Sequence, residues 1–535
     1  MDVPRRSLDR WIWWIAIGAL VLLGIVLRLR GLHNPILDHP GWRQGDTAAI
    51  ARNFATLRFN PLYPQTDYNG PPPNYVELEL QIVPFLAAIG YKLFGVHEVF
   101  GRLISLGFSV GTIVVLAFFG RWLIGTIAGG LIAAAIFTVL PGSVYYGRTF
   151  MPDTTMVFFF TLALFVCTRF LVDGAKTWRG AAWAALALAM AFLAKPVAVV
   201  ALVPLVAVAA WEFRTKTFGT TGLARIGATV AAALIVLTVY GQIVSSHAEW
   251  HWASGITKLH VIPALKKAFT SPAEFVAKLR AFKDTYGLIN KTMLGFLGVL
   301  VLVLGFTRRL RTRSDALLYG WLLGYVLYAY AVLTVERVDY YTYIILPLAA
   351  LVGGALFSYW IERLRTLHNA RVLLTGLAVA GAFLLAAFIV DERRTLAPYY
   401  HYRKANYSAA KALDARLPPD ALVVMAHYDP SILYYINRKG WEEDPYLWTP
   451  FDEQSAIRKG SRYFIAIENN RFKRNVELYA WMQRFPVRNP DAKWPLYETD
   501  PAKTLPGAEE RWQEFRRNEK AGLLQPASGP SVPKS

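Results

Sequence analysis

Apolar residues run along this chain in long blocks separated by short polar turns. The first block is Trp11–Leu27. Ten more follow: Arg102–Phe119, Ala128–Leu140, a block reaching Leu171, Ala181–Ala194, Val197–Trp211, Ile226–Ile243, Thr292–Phe306, Ala316–Leu333, Tyr343–Trp360 and Val372–Val390. Blocks of this length and polarity predict membrane-spanning helices, about eleven in all. A polar loop separates the first two and extends to Asn74. Its Gly70-Pro71-Pro72-Pro73 segment cannot feed a regular hydrogen-bond ladder. The apolar segment up to Phe94, with Pro84 inside it, is expected to lie in the interface or re-enter the membrane. The loop after the seventh block holds an amphipathic piece, Pro272–Phe282. Beyond Val390 the pattern turns polar. Leu422–Ala426 and Tyr463–Ile467 read as strands and Pro430–Asn437 as a helix, which predicts a small α/β domain. The expected division is 1–390 in the membrane, 391–524 as the α/β domain, and a disordered tail at 525–535.

Composition agrees. Of 535 residues, 55% are hydrophobic and 18% charged, too apolar for a soluble chain of this size. The net charge of +20 sits in short clusters between blocks, not on a continuous basic face, which argues against nucleic acid as a partner. The clusters are Arg5, Arg6 and Arg10; Arg121; Lys176 and Arg179; Arg214 and Lys216; Arg308, Arg309, Arg311 and Arg313; and Arg363 and Arg365. They fall on alternate turns, as eleven crossings require, and the positive-inside rule puts them in the cytoplasm. The long first loop, the turns at Asp153, Lys195 and Asp339, and the α/β domain then lie outside. The first block is long and lacks a small-residue cleavage pattern, so it reads as an uncleaved span. The lone cysteine, Cys167, excludes an intrachain disulfide.

Chemistry gathers on the outer side: Asp46, Glu77, Glu79, Arg148, Asp153, Lys195, His247, His251, His260, Glu336, Arg337 and Asp339. Ionisable groups at membrane depth are costly and tend to be functional. Fixed cations suit a phosphate, and a carboxylate can take a proton from an attacking hydroxyl. The most concentrated stretch is His39–Phe54. Thr47–Phe54 reads as a helix with Asp46 at its N-cap, a position that also favours the carboxylate anion. Asp153, after Pro152, is an equally good helix opener. Glu336, Arg337 and Asp339 are close enough to pair among themselves. Tyr340, Tyr341 and Tyr343, like Trp250 and Trp252, suit an interfacial belt or a sugar platform. Asp429 and Arg438 read as turn and packing residues. No Asp-x-Asp, GxGxxG or P-loop motif is present, so no nucleotide cofactor is expected.

Several segments carry a family likeness: Trp42-Arg43-Gln44-Gly45-Asp46-Thr47-Ala48, Tyr145-Tyr146-Gly147-Arg148, Met151-Pro152-Asp153, the Lys195-Pro196 tip, and Asn437-Arg438-Lys439-Gly440-Trp441. Together with the order of spans they resemble the GT-C superfamily. Within it they resemble the polyprenyl-phosphate-sugar glycosyltransferases related to protein O-mannosyltransferases and the lipid A aminoarabinose transferase, in a bacterial family 39-type branch. The likeness covers about residues 10–360 well and the C-terminal domain loosely. It implies a GT-C membrane fold and inverting transfer of a sugar from a polyprenyl phosphate to an extracytoplasmic glycan, lipid or protein. It implies Asp46 as the base, with Asp153 supporting the acceptor site or a metal. The donor set would be Lys195, Arg148, Arg43, Glu77, Glu79, Arg337 and Tyr340. A divalent metal ion, if used, would sit at Glu79 and His251. The implied location is the bacterial inner membrane, N-terminus in the cytoplasm. Two other readings stand beside it: a flippase for lipid-linked sugars, and a non-catalytic partner in envelope polysaccharide assembly.

Overall fold

The structure, a computed structural model, describes residues 5–214, 218–307 and 312–521. Lys216, Arg308, Arg309, Arg311 and the tail from Gln525 lie outside the described residues, as do the side chains of Arg5 and Arg6. The chain divides into two compact units. The first comprises the chain up to Asn34, Asn60–Tyr63 and Glu77–Tyr400; the second comprises Pro35–Phe59, Pro64–Val76 and the chain from His401 on.

The first unit is a helical bundle and makes this an integral membrane protein. Among the described residues, nine helices are long and apolar enough to cross a membrane. Eight lie where the apolar blocks predict; the ninth, Pro272–Gly305, extends the Thr292–Phe306 block back through the amphipathic piece expected in the loop. The other two blocks form the shorter helices Ile127–Val139 (13 residues) and Trp178–Ala194 (17 residues). At 1.5 Å per residue these reach about 20 and 25 Å, short of a hydrocarbon core of about 30 Å. Proline sets both limits. Pro141 forces Leu140 into extended backbone, and Pro196 does the same to Lys195. The segment before the second span is also a short apolar helix, Ile82–Phe94. The last span, Ala370–Thr395, buries little of itself and leaves Phe383 74% exposed, a surface suited to lipid.

Side-chain contacts sort the turns of this bundle into two sets. In one, Ser314 Oγ donates to Leu123 O at 2.7 Å, Thr126 meets Ser358 at 2.7 Å, Arg313 lies 4.0 Å from Glu212, and Arg121 stacks over Trp13. In the other, Lys195 meets Asp153 and lies over Tyr340 and Tyr341, Leu80 N donates to Leu193 O, and Glu77 meets His251. The first set holds basic turns and the second holds acids and histidines, as the alternation along the sequence predicts. The short helix Trp178–Ala194 thus still returns the chain to the end where Asp153 lies.

The second unit is built on a five-stranded mixed sheet. We number its strands β1 (Leu422–Ala426), β2 (Lys439–Glu443), β3 (Ser461–Ile465), β4 (Val487–Arg488) and β5 (Leu496–Glu498). Their order is β2-β1-β3-β5-β4, with β1 parallel to both neighbours and the β3–β5–β4 side antiparallel. The predicted helix is present as Pro430–Ile436, opened by Asp429, whose side chain accepts from Ser431 N at 2.9 Å. Asn437, in left-handed backbone, ends it and turns the chain into β2. Val424, Phe464, Phe472 and Met482 fill the core. The β2 edge is covered by the first loop: Gly70 N donates to Gly440 O at 2.7 Å, and Gly440 N donates to Asp67 O at 3.0 Å. A sheet edge left bare would expose unpaired backbone groups.

Candidate active site

Asp46 belongs to the second unit. Its helix does not begin at Thr47, as the sequence suggests, but at Gly41, behind Pro40, and runs to Thr56. Asp46 is therefore in the helix interior and caps nothing. The helix is sheathed on nearly every side, with ten residues from Gln44 to Phe54 buried. Gly45 permits its closest approach: a Cβ there would lie 2.6 Å from the Cα of Ser431, on the Pro430–Ile436 helix.

Asp46 is 3% exposed, and its Oδ1 accepts a hydrogen bond from the Tyr68 hydroxyl at 2.9 Å. Burial pushes its carboxyl up to about 7. Arg43 and the Tyr68 hydrogen bond oppose that rise, while Asp429 and Asp67 add to it. Glu442, on β2, is pushed further, to about 10, by burial and then by the charges of Asp46, Glu443 and Asp429. Near neutral pH, Glu442 is thus protonated while Asp46 is poised between its two forms. A carboxyl tuned to the working pH makes an efficient general base.

A second buried acid of the same loop, Asp67, behaves in the opposite way. Burial alone would raise it, but Arg52 and Lys439, with hydrogen bonds from Lys439 and Asn53, hold it below the usual carboxylate range. Lys439 also binds Asn53, and Arg52 donates to Tyr434 O at 2.9 Å. Arg438, beside Lys439, is a packing residue as predicted, tied to Asp414 and to Pro418 O. Next to Asp429 lies a cavity of about 340 Å³, lined by His401, Arg403, Asn406 and His427 among others. His427 is held by Glu468 at 2.6 Å. Trp42 and Tyr428, both exposed, pack ring against ring with centroids 5.5 Å apart.

The first unit holds the remaining candidates. Asp153 opens its helix, and its Oδ1 binds Lys195 Nζ at 2.7 Å. Lys195 lies 4.5 Å from the ring centre of Tyr341 and 5.4 Å from that of Tyr340. The other Asp153 oxygen, Oδ2, is buried with no hydrogen-bond partner among the described residues. A buried orphan acceptor of this kind is what a ligand's hydroxyl would satisfy. Arg148 has no exposed surface. Its guanidinium lies between the rings of Tyr145 and Tyr400, at 4.7 and 4.6 Å, and donates to Gly31 O. Glu77 accepts from Ser254 at 2.6 Å and meets His251 at 3.2 Å. Glu79 is buried. The partner of His251 is therefore Glu77, and no group of three His, Cys, Asp or Glu side chains suited to a metal occurs among the described residues. Glu336, Arg337 and Asp339 do not pair among themselves. Glu336 meets His260 at 2.5 Å, Asp339 accepts from Tyr399 at 2.9 Å, and Arg337 is exposed.

Sequence reading singled out Asp46, Arg43, Asp153 and Lys195 as candidates; it did not point to Tyr68, Glu442, Asp67 and Lys439, which share the second unit with Asp46. The Arg-Lys-Gly-Trp segment was the one signal pointing toward β2.

The sequence model of the dolichyl-phosphate-mannose-protein mannosyltransferase family matches residues 81–240. Among solved structures, ArnT from Cupriavidus metallidurans in the apo state aligns over 92% of this chain and 99% of its own, with TM-score 0.61 and 14% identity. The chain shares the fold of this structure. ArnT bound to undecaprenyl phosphate aligns with TM-score 0.59 and 13% identity, over 92% of this chain and 99% of that one. A second GT-C structure, the oligosaccharyltransferase of Archaeoglobus fulgidus tethered to an acceptor peptide, aligns over 93% of this chain and 75% of its own, with TM-score 0.57 and 11% identity. ArnT, this oligosaccharyltransferase and the mannosyltransferase family are all GT-C glycosyltransferases. No curated protein matches the sequence.

Proposed function

We propose that the chain is an inverting glycosyltransferase that moves a sugar from a polyprenyl phosphate to an acceptor outside the cytoplasm. The observation that carries this reading is Asp46, a buried carboxyl held near pH 7 beside a protonated Glu442 and the Tyr68 hydroxyl. Asp46 as carboxylate takes the proton of the acceptor hydroxyl. The acceptor oxygen forms a bond to the anomeric carbon as the bond from that carbon to the phosphate oxygen breaks. Polyprenyl phosphate leaves with the bonding electrons, and Asp46 keeps the proton until solvent removes it. Within the first unit, Lys195, held by Asp153, is by its charge a candidate ligand for a phosphate. The cavity beside Asp429 and the Trp42–Tyr428 pair suit the polar and apolar faces of a saccharide acceptor. The lipid in this reading is supported by the undecaprenyl phosphate of the ArnT complex and the dolichol phosphate of a complex of the Archaeoglobus fulgidus oligosaccharyltransferase. The basic turns favour a cytoplasmic N-terminus and an outward-facing second unit, in a bacterial inner membrane.

The test is transfer from a panel of labelled polyprenyl-phosphate sugars by the full chain in membranes. Asp46→Asn is expected to lower the transfer rate by about 10²- to 10⁴-fold with donor binding retained. Lys195→Ala is expected to lower it by about 10²- to 10³-fold. Equal rates for Asp46→Asn and wild type would remove Asp46 from the chemistry.

A further inference from the structure

A further cavity lies away from all of these residues, along one flank of the bundle. The helices Asp153–Val172 and Trp178–Ala194 run antiparallel, joined by a five-residue turn at 173–177. Between them runs an open groove of about 910 Å³. Phe159, Phe165 and Phe170 line it from one helix, and Trp183, Leu186 and Met190 from the other. Trp183 and Leu186 are 57% and 51% exposed. The polar lining is confined to the end at the turn: Arg169, Asp173, Lys176 and Thr177. Arg169 and Lys176 are exposed. Arg225 reaches this turn from a third helix, donating to Ala175 O at 3.1 Å and stacking on Trp178.

A long apolar trough, closed at one end by two exposed cations and a single acid, has the charge and polarity of a lipid turned around: apolar where the acyl chain lies, basic where the headgroup lies. This end belongs to the basic turns. On the orientation proposed above it meets the cytoplasmic leaflet, where anionic headgroups collect. We propose that the groove binds one anionic membrane phospholipid, its acyl chain against the Phe159–Trp183 wall and its phosphate between Arg169 and Lys176. The lipid would clasp, at one end, the two helices whose other ends carry Asp153 and Lys195.

The test is native mass spectrometry of the full chain, released from mixed micelles holding equal amounts of dioleoyl phosphatidylglycerol and dioleoyl phosphatidylcholine. Wild type is expected to retain one phosphatidylglycerol with a preference of about thirtyfold, the scale set by two basic side chains near a phosphate. Arg169→Gln with Lys176→Gln, both exposed positions, should abolish the preference. Leu186→Trp, which fills the groove from its open side, should lower retention of both lipids. Equal retention by wild type, or a preference unchanged in the double variant, would overturn the proposal. Displacement of phosphatidylglycerol by undecaprenyl phosphate at equal concentration would also overturn it, by giving the groove to the donor. None of these readings depends on transfer activity, so the proposal and the proposed function can fail separately.

Discussion

Asp46 and Asp67 sit in the same loop region, in the same unit, each 3% exposed or less. One is driven up to about 7 and the other is held down. Burial acts on both in the same sense, so it cannot be the difference. Asp67 has two cations in contact, Arg52 and Lys439. Asp46 has a tyrosine hydroxyl in contact and further carboxyls around it, with Arg43 as the opposing charge. What separates a structural acid from a candidate base here is the count of neighbouring cations, not depth. The protein puts its cations where it needs a fixed charge and withholds them where it needs a titrating one.

This contrast can be broken by experiment. The largest effect on stability is expected at Asp67. Asp67→Asn strands Arg52 and Lys439 in a buried setting and should cost about 3 kcal/mol, read as a lowered melting temperature of the detergent-solubilised chain. Asp46→Asn should move the melting temperature far less. If both lower it equally, the two acids do not have different jobs. Next is Gly45→Ala. Its Cβ would press on the backbone of Ser431, which cannot yield as a side-chain tip can, and an overpacked contact costs about 1–3 kcal/mol. An unchanged melting temperature would show that the two helices have room to part.

The smallest effects sharpen the electrostatics. A base must be deprotonated to work, so transfer should rise as pH climbs through about 7 and fade below it. The Tyr68 hydrogen bond lowers the Asp46 pKa, so Tyr68→Phe should move that rise to higher pH, by about one unit for a hydrogen bond of ordinary strength. A shift to lower pH would contradict the assignment. Stability runs the other way. A carboxyl raised in the folded state costs stability as pH rises from the ordinary value of 3.8 through about 7, and Asp46→Asn should flatten that part of the melting curve against pH.

The bundle was legible because its signal is local. A run of apolar residues specifies a membrane helix whatever lies elsewhere, and prolines such as Pro141 and Pro196 mark its limits. Strand β2 was not legible. Lys439-Gly440-Trp441-Glu442-Glu443 has neither alternation nor β-branching, and it becomes a strand because β1 and the first loop supply partners on both sides. Gly440 fits there alone: its φ is +151°, and a Cβ would fall 1.8 Å from Val423 O. The misplaced helix start has the same origin. Gly45 reads locally as a breaker ahead of a cap, yet its value is close contact with a helix encoded almost four hundred residues later. Asp46 could be singled out by its motif, but its protonation could not, because Tyr68 and Glu442 come from other segments.

The covered edge of β2 also has a consequence for how the molecule is made. Lys439 and Asp67 are 372 residues apart. The loop leaves the ribosome early, just after the first span, while the strand that completes it emerges late. During most of synthesis the loop stands without its partners, and closing so long a chain segment is slow. The surroundings of Asp67 are therefore completed only late in synthesis, when β2 docks against the loop.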